Sequence, residues 1–118
     1  MSEKVYLAKV QDGATAAEQV EALNKLYTSG DLGKIVAKKD FVAIKIHVGE
    51  QNNTTHIRPE LIKAVVDHAK AAGAQPFLTE TSTLYKGERE NAVKHIMHAH
   101  RHGFGIDRIG APLSWRTD

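Results

Sequence analysis

The side chains able to do chemistry gather in three places. The first is Lys45 to His56, KIHVGEQNNTTH, where an apolar run turns polar with a histidine near each end. His47, Glu50 and His56 supply imidazole and carboxylate, groups that move protons near neutral pH or bind zinc, iron or nickel. Lys45 stands two residues before His47, so on a strand the two share a face. Asn53, Thr54, Thr55 and Arg58 add amide, hydroxyl and guanidinium groups suited to a phosphate or carboxylate. The second place is TETSTLY, with Glu80, Thr81, Ser82 and Tyr85. The third is the histidine series His95, His98, His100 and His102.

Each has a plainer reading. Asn52, Asn53 and Thr54 suit a turn and a helix cap. A histidine at a strand end is commonly only hydrogen-bonded, and Lys45 can lie along a sheet with its amine in water. Divalent-metal sets are His47, His56 and Glu80, or His98 with His102. The latter pair has the spacing of zinc proteases, but Ala99 stands where their glutamate is required, which excludes that chemistry. On a helix His95, His98 and His102 share one side and read as a solvated face near the C-terminus, with His100 at the core edge. No P-loop, Gly-x-Gly-x-x-Gly pattern or nucleophile elbow is present.

The elements that must position these groups are legible in the periodicity. Residues 5–10 (VYLAKV) form a strand pattern ending at Asp12-Gly13. Thr15 and Glu18 make a capping box, and Val20, Leu23 and Tyr27 follow at helical spacing until Ser29-Gly30. Residues 32–37 suggest a short second helix. Residues 41–48 (FVAIKIHV) are almost continuously apolar, as in a strand covered on both faces. Pro59 opens a helix with a stripe of Leu61, Ile62, Val65, Val66 and Ala69, and Gly73 stops it. Residues 76–80 predict another strand. A helix over 88–102 packs through Ala92, Val93, Ile96 and Met97, Gly103 ends it, and a fourth strand falls at 111–115.

This alternation predicts one α/β domain over residues 1–118. Its open sheet, in two or three layers, has three to four mostly parallel strands joined by crossover helices. Parallel strands put the loops after Val48 and Leu78 on one rim, where ligands bind at the point of strand-order reversal. The helix at Pro59 turns its N-terminus to that rim and favours an anion there. A sheet this small has two edges, which predicts a homo-oligomer or a downstream domain.

Composition narrows the classes. The chain has 118 residues, a formal net charge of +2, 25% charged and 42% hydrophobic residues, and no cysteine. Scattered lysines give no support for nucleic acid or an anionic membrane as partner. No apolar run is long enough to span a bilayer and no signal-peptide pattern opens the chain, so a cytoplasmic location is expected. A disulfide, a thiolate metal site and a cysteine-ligated iron–sulfur cluster are excluded for these residues.

Together DFVAIKIHVGE, NTTHIRPELIKAVVDHAKAAGAQPFLTETSTLYKG and NAVKHIMHAHRHGF resemble the N-terminal part of the family called domain of unknown function 362. The likeness runs from Lys4 to Pro112. It departs at Leu113 to Asp118 (LSWRTD), where the family pattern continues with an apolar strand and an Asp-Gly turn. The resemblance implies a parent architecture of a few hundred residues, many of whose members carry a ferredoxin-type iron–sulfur segment. It implies that this chain is the N-terminal part of such a protein. At the level of fold alone the layout is also similar to the N-terminal domain of nickel-pincer lactate racemases. The expected function is a rim that holds a small anionic ligand, or one face of a cofactor site, within a redox protein. The alternatives are an assembly module pairing through an exposed sheet edge, and a stand-alone isomerase or hydrolase.

Overall fold

The computed structural model describes residues 3–81, 87, 89 and 91–116. The elements run α1 (Ala16–Ser29), a 3-10 turn (Leu32–Ile35), β1 (Phe41–Lys45), α2 (Pro59–Ala71), β2 (Gln75–Thr81), α3 (Ala92–Ala99), a π-helical turn (His100–Phe104), α4 (Ile106–Ile109) and β3 (Leu113–Arg116). The fold is α/β, with one open sheet of three parallel strands in the order β1-β2-β3 and helices between them.

Local chemistry sets most boundaries. Thr15 and Glu18 form the reciprocal capping box at the start of α1. Pro59 occupies the first turn of α2, where its missing N–H costs nothing. Gly73, at φ 83°, turns the chain out of α2 and into β2.

Strand order has a geometric consequence. Two right-handed crossovers in the same direction place their helices on the same face of the sheet. Burial alternates accordingly. Val42, Ile44, Pro76, Leu78 and Glu80 face the helices, while Phe41, Ala43, Lys45, Phe77 and Thr79 face away. The core lies on the covered side and contains Ile46, Val48, Ile62, Val66, Leu78, Ala99, Phe104, Ile109 and Ala111. Phe41 on the open side is 76% exposed. The sheet is therefore two-layered, and among the described residues its strand order does not reverse.

Four expectations need correction. Residues 5–10 form no strand, because no neighbouring strand receives them. β1 ends at Lys45, not Val48, although Ile46 still donates to the Thr79 carbonyl at 3.0 Å. The last long helix begins at Ala92, with Asn91 accepting from Lys94 N–H, and ends at Ala99; residue 88 lies outside the described residues. That helix also faces the other way: Val93, Ile96 and Met97 are exposed, while His95 and His98 are buried. Two rim carbonyls and a buried carboxylate at the sheet end need N–H donors, which histidines supply and the apolar stripe cannot.

Candidate functional site at the sheet rim

Because β1 and β2 run parallel with Lys45 opposite Thr79, the segments after them emerge at the same end. Glu80, on the last turn of the β2 pleat, faces the covered side and is 1% exposed. A carboxylate there must be neutralised and hydrogen-bonded. The Val48 backbone N–H donates to its Oε2 at 3.0 Å, and Arg89 donates to its Oε1 at 2.9 Å. His95 Nε2 stands 3.4 Å and Lys45 Nζ 3.6 Å from the same carboxylate. Arg89, itself buried, also donates to Glu50 at 2.6 Å and stands 3.1 Å from His47 Nε2. One guanidinium thus ties three of the rim's polar residues together.

His47 is contested by two donors. Its Nδ1 lies 3.0 Å from Gly49 N–H, while its Nε2 faces Arg89. A neutral imidazole has a single acceptor nitrogen, so only one of these donors can be satisfied by it. Arg89 Nε is also buried with no hydrogen-bond partner among the described residues. The rim carries a local surplus of N–H groups.

A second layer comes from the helix side. His98 Nε2 donates to the Gly49 carbonyl, and His102 Nδ1 donates to the Val48 carbonyl at 2.6 Å. His102 stacks on His56 with ring centroids 4.5 Å apart, and His98 meets His102 at 4.2 Å with a 50° tilt. Neither His98 nor His102 belongs to a solvated face. His100 is the outward member of the series, beside Asp107 at 3.7 Å, and does not sit at the core edge. Burial lowers the pKa of both His95 and His102 below the ordinary 6.5. Arg89 adds to the effect at His95, with Glu80 opposing. The Val48 carbonyl opposes it at His102, where His98, His56 and Arg101 reinforce it.

These shifts set a pH response. The unfolded chain takes up protons on these histidines at a higher pH than the folded chain does. Stability therefore falls as pH drops through about 6.5, and the loss levels off below the folded values. Urea unfolding at pH 7.5, 6.5 and 5.5 should give a declining midpoint; an unchanged midpoint would refute neutral buried imidazoles.

A pocket of about 500 Å³ opens in front of this network. Of the residues singled out by sequence, Lys45, His47, Glu50, Asn53, Thr55 and His56 line it, with Ile46, Ile57 and Ile62 forming its apolar wall. Asn53 donates to Thr55 Oγ1 at 3.2 Å. Glu80 lies behind the pocket, and Thr54, Arg58 and Thr81 do not line it. Ser82 and Tyr85 lie outside the described residues. The α2 N-terminus, expected to favour an external anion, already has Glu60 in its first turn. Glu60 bonds backbone N–H and Arg108, which hold its carboxyl below its usual range. Among the described residues no three histidine, aspartate or glutamate side chains are placed to hold a metal. His47 and His56 are used on different partners, and the nitrogens that His98 and His102 turn to the rim are taken by carbonyls.

Gly49 fixes the shape of the pocket. Its φ is +85°, and a Cβ there would lie 2.8 Å from His56 Cβ. Gly49→Ala should cost about 2 kcal/mol through left-handed strain and displace the His56 ring. Urea unfolding and the His56 imidazole resonances check this; an unmoved ring would refute the close approach.

Sequence reasoning missed Arg89 and His95 as members of the network. Arg89 sits in the charged run KGERE, which looks like solvated surface, and nothing local marks it as buried. His95 was visible only as part of a histidine-rich helix.

A family model described as domain of unknown function (DUF362) matches residues 42–114, more than half of the chain. The match begins at the second residue of β1 and ends within β3, and so spans the rim residues from Lys45 to His102. No curated protein and no solved structure matches the chain.

Proposed function

We propose, from the premise that the chain belongs to the family described as domain of unknown function (DUF362), that its rim pocket binds a small organic anion. The observation that carries this is the donor surplus. His47, which lines the pocket, can accept from Gly49 or from Arg89 behind it but not from both, and the half-exposed Lys45 side chain lines the same pocket, its amine shared between the Ile46 carbonyl at 3.3 Å and Glu80 at 3.6 Å. An anionic oxygen at that wall would accept from groups that the protein itself under-serves. Ile46, Ile57 and Ile62 would cover an apolar portion, which favours a small carboxylate over bare phosphate.

Binding is better supported than turnover. Glu80 is committed to Val48 and Arg89, and Glu50 to Arg89, so neither carboxylate stands ready as a general base for a stand-alone isomerase or hydrolase. The family resemblance suggests an iron–sulfur redox setting. The donor set of this chain, which has no cysteine, does not fit such a cluster, and no step is drawn through one.

The test is a titration with acetate, a small hydroxy acid, inorganic phosphate and divalent metal salts, read by melting temperature and histidine chemical shifts. A carboxylate at ten times its dissociation constant stabilises by about 1.4 kcal/mol, a rise of roughly 5 °C for a domain of this size. Lys45→Ala should remove the response. No shift with any of these at 20 mM overturns the reading.

A second reading, assembly through the free edge of β1, has its own support. Among the described residues β1 pairs with β2 alone, and the apolar Phe41 at that edge is largely in water.

A further inference from the structure

α1 lies where a crossover helix lies, beside α2, yet none of its residues is fully buried. Its apolar residues Leu23, Leu26 and Tyr27 border a groove of about 790 Å³. Val42 and Ile44 of β1 and Val65 of α2 form the facing wall. A crossover helix normally covers a strand. Here it covers a hollow along the edge of β1 that, among the described residues, pairs with no strand.

The chain also contains a strand-like sequence that forms no strand. Residues 5–10 read VYLAKV, a β-branched and aromatic pattern, but among the described residues they make no backbone hydrogen bond. Val5 is 88% and Leu7 81% exposed. Only Lys4, Val5 and Tyr6 reach the groove. Ala8, Lys9 and Val10 run instead past Glu18, Glu21 and Lys25, on the outer side of α1. The tight turn at Gly13, where Ala14 N–H bonds the Gln11 carbonyl at 3.0 Å, holds the segment on that outer side.

The surface accounts point the same way. The chain exposes 8068 Å², against about 6,300 Å² for a compact monomer of its mass. Its radius of gyration is 15.3 Å, against about 13.5 Å for a compact domain of its length. Six extended residues span about 20 Å, enough to run the length of a five-residue strand such as β1.

We propose that the groove between α1 and the edge of β1 receives residues 5–10 of a second copy as a fourth, parallel strand, and that the exchange is reciprocal. Opening the turn at Gly13 swings the segment off its own α1, and the partner's edge supplies the missing ladder. Val5 and Leu7 leave water, and α1 gains the strand that it lacks. This deepens the assembly reading and is independent of the rim ligand.

Sedimentation velocity of the whole chain, with circular dichroism as a check on folding, tests it. The wild-type chain should be a dimer at micromolar concentration. Leu7→Pro, which removes a ladder N–H, and Leu7→Lys, which puts a charge in the groove, should each weaken dimerisation at least tenfold with helix content unchanged. A wild-type monomer overturns both the exchange and the assembly reading. A dimer that both variants leave intact overturns the exchange alone.

Discussion

Replacing Arg89 with methionine is expected to destabilise the domain by about 3 kcal/mol, among the largest effects of any single substitution at the rim. Glu80 is fully buried, and Arg89 is its closest cationic partner at 2.9 Å. The loss is held near the low end of the range for a broken buried pair, because the Val48 N–H, His95 and Lys45 remain beside the carboxylate. Glu50 and His47 are released together, since the same guanidinium holds both. Adding Glu80→Gln to Arg89→Met should restore a part of the stability, because an uncharged amide in that place needs no counter-charge. A double-mutant cycle by urea unfolding reads the coupling, which should exceed 1 kcal/mol. Additive losses would show that the two side chains do not act as a pair.

Phe104→Ala should cost about 3–5 kcal/mol. The ring is 1% exposed and belongs to the core cluster with Leu78, Val66 and Ile109. It also stands 5.7 Å from the His56 ring, which in turn stacks on His102. Removing it opens a cavity behind the pocket wall, so a global loss of stability should be accompanied by broadening of the His56 and His102 resonances. Phe104→Leu keeps most of the volume and should retain both the stability and the stack. Equal losses from the two substitutions would refute the cavity account.

How far these arrangements could be read from sequence depends on which forces decide them. The parallel β1–β2 pair was legible because its signals are local: an apolar β-branched run, Pro59 to open the return helix and Gly73 to close it. The capping box at Thr15 was legible for the same reason. The common rim of His47 and Glu80 follows from that topology. The facing of α3 was not legible. Val93, Ile96 and Met97 look like a buried stripe, but the helix is turned by the demand of the Val48 and Gly49 carbonyls for donors, which is a tertiary matter. Arg89 is hidden for a similar reason, since only the buried Glu80 explains why a guanidinium leaves a charged run for the interior. Residues 5–10 show the converse: strong strand propensity yields no strand where no ladder is offered.

The one-sided cover of the sheet bears on the calorimetry of the chain. A typical domain of 118 residues gains about 1.4–1.8 kcal/mol/K of heat capacity on unfolding, in proportion to the apolar area newly wetted. Phe41 is wet before unfolding begins, and Phe77 is partly so, as are Val93 and Met97 on the outside of α3. A dilute single chain should therefore show an increment below that range, with a flatter stability curve and a broader melt.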